Sequence, residues 1–285
     1  MNQLVREFKA GALALAPLTP TIGVEVSGLD LRKPVDDATL KDLRQALLDW
    51  KVLFFRDQDL TTEQHLDFAR RFGELEVHPF APSKPGYPEV LAITHDDKSK
   101  GRENVWHSDV TWREIPSLGS ILRALEVPPV GGDTLFSDMY AAYDGLSEAV
   151  KARIDGKLAV HDFAHFRRAL VKQGKTPEEV EAFNRAYPMM EHPVVRTHPE
   201  TGRKAIYVNA AFTQHIVGLD KDESDALLAH LYAQAAIPEY QCRFRWSPNA
   251  IAFWDNRSSQ HYAASDYFPA VRRMERVTII GDRPR

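Results

Sequence analysis

Apolar residues at helical spacing open the readable part of this chain. Leu40, Leu43, Leu47 and Leu48 predict a helix over residues 36–50. The unbroken run Val52-Leu53-Phe54-Phe55 then reads as a buried strand. Thr61 and Gln64 stand at capping-box spacing ahead of a second helix over residues 62–72, with Gly73 as its stop. Strand-like runs follow at 90–94, 120–125 and 158–166, with a helix near 137–154 between the last two. Thr176-Pro177-Glu178-Glu179 supplies a cap, a first-turn proline and acids at the positive end of another helix.

The second half is richer in strands. Runs at 193–197 and 204–209 flank His198-Pro199-Glu200-Thr201-Gly202 as a hairpin, and a helix is predicted over 221–236. Strands at 242–246, 250–254 and 271–280 complete the set. No low-complexity linker or internal repeat divides the chain, so residues 1–285 are expected to form one domain. Short strands without strict βαβ alternation predict a mainly β (α+β) fold, a β-sandwich or jelly roll flanked by α-helices. A doubly wound sheet is disfavoured because no Gly-rich phosphate turn follows an early strand; Gly131-Gly132-Asp133 reads as a plain turn.

Composition narrows the function classes. The chain is 44% hydrophobic and 27% charged with a net charge of −4, as in an ordinary soluble protein. Its charges are interspersed, without a basic stripe for phosphates, which argues against a nucleic-acid partner. The lone Cys242 excludes an internal disulfide and a Cys-rich zinc site, and it suits the cytoplasm. No apolar run is long enough for a bilayer, and the apolar stretch at 10–16 is too short for a signal peptide.

Trp106-His107-Ser108-Asp109 is the most informative motif. On a strand, a histidine and an aspartate two apart share one face; with His261 downstream they offer two imidazoles and one carboxylate, the facial triad of non-heme Fe(II) oxygenases. His107 is framed by Trp106, Val110, Thr111 and Trp112, types that favour a half-buried strand. A satisfied core histidine is the competing reading of His107. A second His-x-Asp, His95-Asp96-Asp97, heads a charged stretch that reads as a solvated loop. Past the apolar strand at 250–254, a loop is expected to carry His261 to a rim. Further on, Arg272, Met274, Arg276 and Thr278 share one face of the last strand, while Arg273, Glu275 and Val277 share the other. If the first face looks inward, its arginines need anions; if outward, they are solvated surface.

Several stretches in order resemble the taurine dioxygenase / chlorophenoxyacetate dioxygenase family of Fe(II)- and 2-oxoglutarate-dependent oxygenases. They are Val52 through Gln58, Trp106 through Thr111, Gly131 through Thr134, His192 through Arg196, and Trp254 through Tyr262 continuing into the arginine strand. The similarity runs from about Ile22 to Pro284. It implies a double-stranded β-helix fold, with His107, Asp109 and His261 as iron ligands. It implies Arg272, eleven residues past His261, as the holder of the 2-oxoglutarate distal carboxylate, helped by Thr134. By the same resemblance Arg276 and His78 grip the anionic head of a sulfonate or sulfate ester, and Asn104 stands near the first ligand. Trp112 and Phe212, with Phe80 and Phe166, are candidate pocket walls. Ala81 stands where taurine-acting members carry a tyrosine, which leaves alkyl sulfonates, sulfate esters and aryloxy acids open beside taurine.

The resemblance implies hydroxylation of the carbon next to the substrate's heteroatom. Aldehyde and sulfite or sulfate would leave, with succinate and CO₂ from 2-oxoglutarate. It also implies Fe(II), 2-oxoglutarate and O₂ as cofactor and cosubstrates, ascorbate as reductant in vitro, and a homo-oligomer (dimer or tetramer). An aryloxyalkanoate-type dioxygenase is the alternative; a zinc-dependent hydrolase on the same ligands is a remote one.

Overall fold

The computed structural model describes residues 8–172 and 174–285. Its main body is a nine-stranded sheet with a helical layer on one face and a smaller sheet on the other. In spatial order the large sheet holds Phe8–Ala10, Leu13–Pro17, Val24–Ser27, Val52–Phe55, Ile251–Asp255, Ser117–Glu126, Arg272–Ile280, Tyr87–His95 and Ser83–Lys84. Neighbours are antiparallel except Val24–Ser27 beside Val52–Phe55. The three short N-terminal strands lie outside the predicted elements.

All four side chains of Val52–Phe55 are buried, as a strand covered on both faces requires. Burying such apolar groups contributes roughly 1.5–3 kcal/mol each. Leu53 and Phe55 face a cluster with Leu43 and Leu47 of the helix Asp37–Trp50 and Leu66 and Phe68 of the helix Thr62–Arg70. The Thr61/Gln64 capping box forms as expected, and Asp36, placed inside the helix by its spacing, is instead its N-cap, the carboxylate accepting from Thr39 N.

Val52 and Phe54 face the other way, into a cluster with Phe136, Cys242, Phe244, Trp254 and Met274. Phe136 and the Cys242–Phe244 segment belong to a three-stranded sheet of Gln241–Phe244, Thr134–Asp138 and Ser259–Ala263. Phe54 stacks on Phe244 with centroids 4.1 Å apart, so the two sheets pack face to face. Cys242 is a buried core thiol there, pushed up to about 12 by burial.

Three expectations need correction. The run at 158–166 is a strand only over Leu158–His161, where it pairs with Met190–Pro193; a helix, Ala164–Lys172, replaces the rest. The helix at 137–154 is a strand end and two helices, Met139–Asp144 and Glu148–Ile154, because Asp138 and Ser147 each cap a fresh start. His261 is not on a loop: it lies within the strand Ser259–Ala263.

Candidate functional site

His107 and His261 face each other across an isolated antiparallel bridge, each N–H donating to the other's carbonyl (3.1 and 2.8 Å). The chain then leaves the extended conformation. Val110 is left-handed (φ 47°), a costly geometry for a β-branched residue. Asp109 is therefore carried by a turn rather than by the same strand face as His107, and this corrects the strand reading of the motif. Asn256 fixes that turn. Its Oδ1 accepts from Asp109 N and Trp254 Nε1 (both 3.1 Å), and its Nδ2 donates to Ser117 Oγ at 2.7 Å. Ser108 Oγ ties the loop to Ser259 O at 2.8 Å.

The turn between Ile251–Asp255 and Ser259–Ala263 crosses from one sheet to the other and so delivers His261. A buried ion-pair network holds it: Arg257 bridges Asp255 and Glu200 (2.7 Å each), and His198 Nε2 lies 3.1 Å from Asp255. Burial alone would raise the Asp255 carboxyl; Arg257 and His198 hold it well below the ordinary range.

His107, Asp109 and His261, all buried, place one donor atom each within 4.8 Å of the others. Both imidazole Nε2 atoms stand 3.9 Å from Asp109 Oδ1. Donors about 2.1 Å from a shared ion lie at most about 4.2 Å apart, so each of these two separations suits a common metal. His107 Nδ1 is 2.8 Å from Val105 O; donating there leaves the Nε2 lone pair for a ligand bond. Burial, then the neighbouring His107, pushes the His261 imidazole down to about 3, which keeps it neutral. Burial would raise the Asp109 carboxyl; the Arg276 guanidinium, both imidazoles and a 2.9 Å bond from Ser120 Oγ hold it well below the usual range.

Two cavities meet at the triad. The smaller, about 60 Å³, is lined by His107, His261, Thr134, Trp254, Arg272 and Arg276 among others. Arg272 is buried, its Nε has no partner, and no carboxylate pairs with it among the described residues. Burial lowers its pKa, and the Tyr267 hydroxyl is its neighbour. Gly132, left-handed at φ 71°, lies against the Arg272 stem, where a Cβ would stand 3.4 Å from Cδ. Thr134 Oγ1 accepts from Trp246 Nε1 at 3.0 Å, which frees its proton to be donated.

The larger cavity, about 530 Å³, is lined by His78, Asp109, Val110, Trp112, Phe163, Phe212 and Arg276 among others. Arg276 Nη1 donates to Asp109 Oδ1 at 2.7 Å, while its buried Nε has no partner. His78 Nδ1 accepts from Phe80 N and Ala81 N (3.2 and 3.0 Å), so the neutral ring carries its proton on Nε2. Burial, then Arg276, pushes this imidazole down to about 4. Trp112 lies parallel to Phe163 (centroids 5.2 Å, 5°) within an aromatic wall that includes Phe80 and Phe212.

Of the sequence candidates, Thr134, Arg272, His78, Arg276, Trp112 and Phe212 thus surround the triad. Asn104 does not: it is exposed and lines neither cavity, although Glu103 lines both. His95 is not part of the triad and pairs with Glu103 at 3.3 Å, and Asp96 caps its own solvated turn. Nothing in the sequence marks Asn256 or Ser120, because a buried amide and a serine carry no chemistry-specific spacing.

The family model for the taurine catabolism dioxygenase TauD, TfdA family matches residues 14–278. An alkylsulfatase of Acinetobacter baylyi is 36% identical over 275 residues, covering 95% of this chain and 86% of that protein. An alpha-ketoglutarate-dependent sulfate ester dioxygenase of Pseudomonas putida is 35% identical over 277 residues, covering 95% and 91%. The crystal structure of a taurine dioxygenase from Burkholderia xenovorans superposes with a TM-score of 0.82 at 39% identity, covering 96% of this chain and 91% of that one.

Proposed function

The chain belongs to the TauD, TfdA family, and on that premise we propose that it is an Fe(II)- and 2-oxoglutarate-dependent dioxygenase of small organic anions, foremost alkyl sulfate esters and sulfonates. The observation that carries this reading is the position of the triad between two cavities, each holding an arginine with an unpartnered Nε. Iron bound by His107, Asp109 and His261 would supply, with 2-oxoglutarate and dioxygen, the oxidising power to break a C–H bond.

The chain's own groups do the positioning. Arg272 and the Thr134 hydroxyl receive the distal carboxylate of 2-oxoglutarate in the smaller cavity, giving a buried guanidinium its counter-charge. Arg276 and the His78 Nε2–H donate to the sulfate or sulfonate oxygens in the larger one. The aromatic wall of Trp112, Phe163 and Phe212 takes up the carbon chain and excludes water. Because the head group is fixed, the carbon attached to its heteroatom faces the metal; a misplacement of about 1 Å would cost on the order of 100-fold in rate. The two face-packed sheets support a double-stranded β-helix in a single domain. We also propose a cytoplasmic location and a dimeric or tetrameric assembly.

The test is purified protein with Fe(II), ascorbate and 2-oxoglutarate, assayed for succinate and for sulfate or sulfite release. Substrates are taurine, longer alkyl sulfonates, alkyl sulfates and phenoxy acids. Turnover of carboxylic acids alone would refute the anion assignment. Activity with zinc and without oxygen would overturn the oxygenase.

A further inference from the structure

Trp112 lines two cavities at once. Besides the substrate-side cavity it borders a second space of about 380 Å³, walled by Ile115, Tyr187, Pro188, Met190 and Ile280. Trp112 is the residue common to the two walls. Phe163 stacks beside it on the substrate side, and Tyr187 meets it edge-on from the far side (centroids 5.5 Å, 75°). Charged residues bordering the far space are already paired, Arg113 with Glu76 and Glu114 with Arg283. Apart from these and Ser117, its lining side chains are aromatic or aliphatic, which suits hydrocarbon better than an ion. The His78 ring, at the proposed anion end, lies 6.5 Å from the Trp112 ring, so a carbon chain leaving that end runs against the indole.

We propose that Trp112 is the partition that limits substrate length, closing off an apolar annexe that a longer alkyl tail would otherwise enter. This rests on the anion-binding reading of the adjoining cavity. With the partition present, each methylene beyond the indole finds no room. Once it is removed, each added methylene buries in the annexe and gains about four-fold in affinity, the equivalent of about 0.8 kcal/mol.

The experiment is a series of linear alkyl sulfates from ethyl to dodecyl, assayed with wild-type protein and Trp112→Ala for kcat/KM and, by calorimetry, for affinity. The wild-type profile is expected to rise and then fall with length. The variant profile should keep rising by about four-fold per methylene past the wild-type optimum. Trp112→Leu, a smaller cavity change, should shift the optimum part of the way and covers a failure of the alanine variant to fold. Adding Met190→Trp to Trp112→Ala refills the annexe and should restore the shorter optimum. Superimposable profiles, or one uniform loss at every length, would overturn the partition. Should the wild type turn over no sulfate, the catalytic reading fails, while the calorimetric profiles still decide the role of Trp112.

Discussion

Replacing Arg272 by leucine should push stability and cosubstrate affinity in opposite directions. The guanidinium is only 5% exposed, its Nε has no partner, and it neighbours the Tyr267 hydroxyl, with the Glu103 carboxylate acting on it without forming a salt bridge. A buried charge without a bonded counter-charge is a liability to the fold, and exchanging it for a well-packed apolar group is neutral or stabilising by about 1–4 kcal/mol. Binding has the opposite sign. The distal carboxylate of 2-oxoglutarate would lose its charge-assisted bonds, a loss of about 2–5 kcal/mol. That corresponds to roughly 30- to 5,000-fold in dissociation constant. Thermal melts of wild type and Arg272→Leu, with and without 2-oxoglutarate, read both quantities, since a ligand bound only by the folded state raises stability by RT ln(1 + [L]/Kd). Destabilisation by more than about 2 kcal/mol in the ligand-free protein would mark Arg272 as a structural cation, since such a loss needs a broken partner. Unchanged affinity would remove it from the site.

Two further outcomes follow from the surrounding structure. Asn256→Ala frees the Asp109 and Trp254 N–H groups together; metal affinity, read by titration with Mn(II), should fall about 10- to 100-fold. Asn256→Asp, which keeps both acceptor bonds, should recover most of it, and equal losses would refute the positioning role. Stability should also depend on pH through His65, which is fully buried and held down to about 4 by burial. The unfolded chain takes up this proton near 6.5, so stability is intact above that pH and is lost as pH falls towards 4, by roughly 3 kcal/mol. Urea unfolding at pH 7.5 and 4.5 measures the loss, and a His65→Gln variant with the same acid sensitivity would dismiss this cause.

Local signals carried much of the fold. The helix cap at Thr61, and the run Val52 to Phe55, are decided by neighbours in sequence and could be read there. The strand holding His261 could not. Gln260 and His261 are buried beneath a partner strand more than a hundred residues away in sequence, and their polarity imitates a loop. The turn at Val110 was equally opaque, because its left-handed backbone is imposed by contacts from Asn256 and against the preference of valine. Within the site, the triad and the two arginines were legible by residue type and family order. The exposure of Asn104 and the space behind Trp112 depend on how distant segments fall together.

The reciprocal main-chain bonds between His107 and His261 have one more consequence. Two corners of the candidate metal seat are set by backbone register, whatever side chains occupy them. Either imidazole can therefore be exchanged for another ligating group without asking the two strands to move. That makes the pair a natural place to graft a different coordination chemistry onto this scaffold.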